Sequence, residues 1–219
     1  MAYSLVAHTK QSGIGTFTTP AIDTTGAKLL IVFVAWYQVY SLVLSDSKGN
    51  TWTPLTKQTK TDVAGLFFYC TPTPDKVGSG HTFTLTGPSR YATMNVLAFS
   101  DALSSPFDAE NGSTATGTSL ATGSVSPSVN GELIVAGLAT YSADTIGIDS
   151  SFIISDQTPF QTSSWFGAAT AYLSQTTKSA VNPTFSWTNS ADSAAAVACF
   201  KPSSGTSGGS PFIFQPFAI

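Results

Sequence analysis

Thr82–Thr86 reads TFTLT, which places Phe83 and Leu85 on one face of an extended chain and three threonines on the other. Alternation with period two marks a half-buried strand. Lys28–Tyr37, KLLIVFVAWY, is apolar on both faces instead and predicts a central strand covered on each side. Proline and glycine punctuate the chain at short intervals, among them Gly26, Gly49, Pro54, Pro72, Pro74, Gly87, Pro106, Pro127 and Gly131. No segment carries a helical apolar stripe of about ten residues or more. Short strands with regular turn signals predict an all-β protein, a two-sheet sandwich of jelly-roll type.

The pattern repeats. GAKLLIVFVAWY resembles NGELIVAGLATY, with Leu29 matching Leu133 and Tyr37 matching Tyr141. Phe68 then falls on Tyr172, TFTL at 82–85 on TFSW at 184–187, and Val96 and Phe99 on Val197 and Phe200. Four blocks in one order predict two internally similar halves, about residues 1–100 and 101–202. The connection from Ser100 to Ser128 contains TSLATGSVS, which can supply strands. Two separate small sandwiches and one jelly roll with interleaved halves both remain open. One continuous two-sheet sandwich is the expectation carried forward.

Composition fits a packed fold with an unusual surface. Hydrophobic residues make up 42% of the 219 and charged residues only 10%, against about 25% charged in ordinary globular chains. The surface is therefore built from Thr, Ser, Gly, Asn and Gln, as on extracellular and particle-surface proteins. Net charge is −3, and no Lys or Arg occurs between Arg90 and Lys178. A basic footprint for nucleic acid is missing from most of the chain. The start, MAYSLVAHTKQSG, has neither the basic nor the apolar region of a leader, and no apolar run spans a bilayer. Membrane insertion is not expected.

Candidate chemistry is sparse. Cys70 and Cys199 lie far apart in apolar runs and read as buried free thiols; with no C-x-x-C pair, a structural zinc site is not expected. In SDSKGNTWTPL, Asp46 and Gly49-Asn50 predict a tight hairpin turn or bulge. Calcium on Asp46 and Asn50 lacks the further oxygen ligands such a site needs. His8 and His81 stand outside any metal or nucleophile motif and are expected at solvated or edge positions. A pair of acids such as Asp144 and Asp156 could in principle serve a glycosidase, yet most acids sit beside turn residues. No catalytic residue, cofactor or metal is assigned, and the expectation is a protein without enzymatic activity. Trp52, Tyr91, Tyr141 and Trp165 lie in or beside turns and are candidate stacking platforms for a glycan, whereas Trp36 and Trp187 read as core. Asn111-Gly112-Ser113 matches a glycosylation sequon, a match too short to decide anything.

The turn and its flanking strands also carry a resemblance. An apolar strand (Leu29–Val34), a D-x-x-G-N-x-W turn (Asp46–Trp52) and an F-T-x-T strand (Phe83–Thr86) are similar to those of uncharacterised β-sandwich domains in phage and bacterial surface proteins. The resemblance extends over about residues 25–200. It implies a non-enzymatic module and transfers no catalytic residues.

Residues 203–210 form a Gly/Ser linker to an apolar segment, 211–219, PFIFQPFAI. Burying Phe212, Ile213, Phe214, Phe217 and Ile219 yields roughly 7–15 kcal/mol, at about 1.5–3 kcal/mol each. Ordering nine residues costs roughly 9–18 kcal/mol, so burial alone about breaks even. Docking therefore needs backbone hydrogen bonds or many copies acting together. The linker reaches about 16 Å, which confines the partner to the chain's own body, an adjacent copy, or a surface the body already touches.

Together these features predict a non-enzymatic structural protein of a phage virion. Capsid decoration or another particle-surface role is the leading reading, with the five tail residues docking to copies of the chain or to a capsid or tail protein. Two alternatives stand beside it: a glycan-binding module of a surface or secreted protein, and a subunit of a bacterial extracellular filament.

Overall fold

The computed structural model describes residues 3–37, 41–87, 91–142, 144–158 and 167–203. Trp165 and the linker and tail from residue 204 onward lie outside them. The first half supplies β1 (Leu5–Ile14), β2 (Phe17–Thr18), β3 (Leu29–Tyr37), β4 (Val43–Asp46), β5 (Thr53–Pro54), β6 (Gln58–Lys60), β7 (Val63–Cys70), β8 (Phe83–Thr86) and β9 (Tyr91–Phe99). The second supplies β10 (Phe107–Ala121), β11 (Leu133–Thr140), β12 (Gly147–Ile148), β13 (Ile153–Thr158), β14 (Gly167–Ser174) and β15 (Thr184–Phe200). The fold is an all-β sandwich of two main antiparallel sheets.

One main sheet runs β1-β9-β3-β7-β5, with β6 also on β7, and the other runs β10-β15-β11-β14-β13. Each is built from one half of the chain alone. In the first half a small sheet, β2-β8-β4, lies over the outer face of the main sheet. The chain alternates between the two layers, main at β1, β3, β7 and β9 and small at β2, β4 and β8, which is the winding of a jelly roll. The second half does the same with fewer breaks. Beyond a register shift between Gly117 and Ser119, the end of β10 and the start of β15 pair as Leu120↔Phe185, β12 joins them as Ile148↔Phe185, and these residues pack on the outer face of β11.

Among the described residues three apolar cores follow from this layering. β3 sends Leu29, Ile31, Phe33 and Ala35 into the space between the main sheets, where they meet Leu133, Val135, Ala139 and Phe200. Its other face, Leu30, Val32, Val34 and Trp36, packs under Phe83 and Leu85 of the small sheet. A strand apolar on both faces is thus central and covered twice, as its pattern requires. β11 likewise sends Ile134, Ala136 and Leu138 outward beneath Phe185 and Trp187.

The ladders of the two halves share one register. Leu29 pairs with Phe99, and Leu133 with Phe200. Ile31 pairs with Tyr69, and Val135 with Tyr172. Tyr172 therefore corresponds to Tyr69, not to Phe68 as matching apolar letters suggests. On a strand buried on both faces, a slip of one residue exchanges one apolar face for the other and leaves no trace in composition. Tyr37 and Tyr141, at matching positions, stack with ring centroids 5.8 Å apart.

Candidate functional site

The turn after β4 is organised by one carboxylate. The Asp46 side chain is buried, and its carboxylate accepts from Lys48 N (2.8 Å), Asn50 N (3.2 Å), Asn50 Nδ2 (3.1 Å), Trp52 Nε1 (2.8 Å) and His81 Nε2 (3.0 Å). Gly49, at φ 71°, supplies the left-handed residue that curls these N–H groups inward. Burial pushes the Asp46 carboxyl up, but the hydrogen bonds from His81, Lys48, Trp52 and Asn50 outweigh it and hold the group at about 2. Ringed by N–H donors, this carboxylate is an anion site already filled, and calcium has no approach to it.

His81 corrects the expectation of a solvated or edge position, because it is fully buried. Its Nε2 faces Asp46, its Nδ1 lies 2.9 Å from Thr24 Oγ1, and its ring stacks on Phe83 at 4.3 Å. Asp, His and a hydroxyl in series are the parts of a nucleophilic triad. Here the hydroxyl end is sealed: Thr24 is fully buried, accepts from Gly78 N (3.0 Å) and lies 3.3 Å from Gly78 O. The series ties β4, the Trp52 loop and the start of β8 together in the interior of the first half.

Beside this turn, where the two halves join, lies an open cleft of about 420 Å³ lined by Asn50, Thr53, Tyr69, Thr73, Lys76 and Ser105, among others. Lys76 Nζ donates to Gly49 O at 2.8 Å. Among the described residues the walls offer hydroxyls, amides and the Lys76 ammonium, and no carboxylate. Cys70 contributes a wall, but burial, and then the nearby Asp46 charge, push its thiol well above the ordinary range. The cleft can hold a polar ligand by hydrogen bonding.

Of the candidate stacking residues, Trp52, Tyr91 and Tyr141 are described and stand in separate surroundings, while Trp165 lies outside the described residues. Trp52 is half-buried against the outer core, edge-on to Phe83 at 6.1 Å, with its indole N–H committed to Asp46. Tyr91 is 8% exposed on the inner face and offers no platform. Tyr141 is 42% exposed, with one ring face taken by Tyr37.

Four further acids, Asp108, Glu132, Asp144 and Asp156, are held in hydrogen-bonded networks of their own. Asp144 accepts from Ser142 and Asn189, and the Asn189 backbone N–H leads in holding its carboxyl low. Asp156 meets His8 at 3.0 Å, linking edge strand β13 to edge strand β1 of the other sheet. These two acids sit in separate networks. Asp108 pairs with Lys201 at 2.6 Å and accepts from Ser128 N at 2.7 Å, while Glu132 beside it accepts from Val129 N at 2.9 Å. Burial, and then the Asp108 charge, raise the Glu132 carboxyl. Nothing local in the sequence marks this cluster, whose members are 93 residues apart at the extremes. Among the described residues no group of three His, Cys, Asp or Glu is placed to hold a metal ion. No helix among them is long and apolar enough to cross a membrane. Comparisons with family models, curated proteins and solved structures find no match.

Proposed function

We propose that this chain is a non-enzymatic structural component of a phage particle, seated on the particle surface as a capsid decoration protein and attached through its C-terminal segment. The observation that carries the reading is the pair of jelly-roll halves packed back to back, with Asp46, His81, Asp108 and Asp144 all spent on fixing turns and strands. Jelly rolls serve as viral capsid and lectin domains. A surface poor in charge and rich in hydroxyls, and the resemblance to phage and bacterial surface domains, support the same reading. The test is mass spectrometry of purified particles from the source. The chain is expected at a defined copy number, and its absence from intact particles overturns the proposal.

A glycan-binding role is the second reading, supported by the hydroxyl-lined cleft at Thr53 and Tyr69. It requires a glycan-array signal that Thr53→Trp, which fills the cleft, abolishes; a blank array removes it.

A further inference from the structure

Ser203, the last described residue, is fastened near a second cleft. Its N–H and hydroxyl reach Asp101 Oδ1 at 3.3 and 2.5 Å. Two residues before Asp101, the Phe99 carbonyl accepts from Lys28 N at 2.7 Å. Lys28 lines a cleft of about 330 Å³ whose walls include Ala27, Pro72, Pro74 and Val77. Apart from Thr25 and the Lys28 head, those walls are apolar. At about 3.3 Å per extended residue, the path from Ser203 to the cleft spans on the order of 10 Å.

The chain beyond Ser203 is matched to that opening in length and chemistry. Ser204–Ser210 is Gly/Ser-rich, and such composition reaches about 15 Å. It is followed by PFIFQPFAI, with three phenylalanines, two isoleucines and no charge. Pro211 and Pro216 lack the N–H a sheet ladder needs, which favours insertion of side chains over addition of a strand. A short tether holds its cargo at an effective concentration of the order of millimolar, so a cleft within reach on the same molecule competes strongly with any partner in solution.

We propose that the apolar cleft at Ala27, Pro72, Pro74 and Val77 is the seat of this chain's own C-terminal segment, Pro211–Ile219, with a phenylalanine ring filling it. The inference deepens the attachment role given to that segment, since it names the resting place from which a particle partner would draw it. It is tested without any particle.

Chymotrypsin is added to the full-length chain, and mass spectrometry follows cleavage after Phe217. Two variants are compared: Pro74→Glu, which places a charge at the exposed cleft rim, and Phe214→Ser, which leaves the body untouched. Cleavage is expected to be about tenfold slower in the parent than in both variants, at a rate independent of protein concentration. Equal rates in parent and Phe214→Ser overturn the proposal even if Pro74→Glu fails to fold. Protection that grows with concentration overturns it too, because it assigns the segment to a second copy. Absence of the chain from particles would sink the functional reading and leave this result standing.

Discussion

The ring of Phe33 lies against the backbone of Gly137, and the two residues hold the same register position in their respective halves. A Cβ built on Gly137 would stand 2.5 Å from Phe33 Cδ2, and one on Gly65 would stand 2.9 Å from Phe33 Cζ. The centre of the sandwich is therefore filled by one large ring from one half and bare backbone from the other. Two identical halves could not achieve this: a second phenylalanine would clash and a second glycine would leave a void.

Gly137→Ala is accordingly expected to destabilise the fold by about 1–3 kcal/mol through overpacking. Denaturant unfolding measures it. Combining it with Phe33→Leu should recover part of the loss, since the two sites share one space. Additive losses would show that the contact is not the cause.

Asp46 makes stability depend on acid. Its folded value, about 2, lies below its ordinary value of 3.8. The stabilisation is therefore complete above about pH 4 and is lost as pH falls toward 2, amounting to about 2 kcal/mol at about 1.4 kcal/mol per unit. Asp46→Asn should lower stability at neutral pH and flatten the unfolding free energy between pH 4 and 2. An unchanged acid slope would refute the assignment.

Glu132 has the opposite sign. With its carboxyl raised, the folded state favours the protonated form, so its contribution is full at low pH and fades as pH rises through the folded value. Glu132→Gln keeps an acceptor for Val129 N–H and removes the repulsion with Asp108. At neutral pH it is expected to be neutral or stabilising by about 1 kcal/mol, as read from thermal melts. A loss of several kcal/mol would show that the charge itself is required.

Cys70 packs in the outer core of the first half and Cys199 in that of the second, and both are free and buried. Burial pushes both thiols well above their ordinary range. An aromatic disulfide reagent at pH 8 should label neither thiol in the native protein and both after denaturation. Rapid native labelling would contradict the packing.

The strands that can be read from sequence are those buried on two faces or alternating cleanly. Leu29–Tyr37 and Phe83–Thr86 are such strands, and Trp36 and Trp187 are in the cores their positions imply. β10 is the contrary case. Within Phe107–Ala121 only the TSLA end signals a strand, because an edge strand paired on one side buries little and imposes no apolar period. His81 escaped for another reason. Its partners Thr24 and Asp46 are 57 and 35 residues away, so nothing local signals that the ring is enclosed. The Asp46 turn was legible as a turn because Gly49-Asn50 gives it away; that its carboxylate gathers donors from Trp52 and His81 was not.

That each main sheet uses strands from one uninterrupted half bears on how the chain is made. Every ladder of the first sheet lies within residues 5–99 and can close while the second half is still being synthesised. At about 5–20 residues per second, the following hundred residues take on the order of 5–20 s. Throughout that interval the face bearing Leu29, Ile31, Phe33, Leu97 and Phe99 has no cover. A nascent chain paused in the second half would display a finished sheet with a bare apolar side, the form in which this protein is most in need of a chaperone.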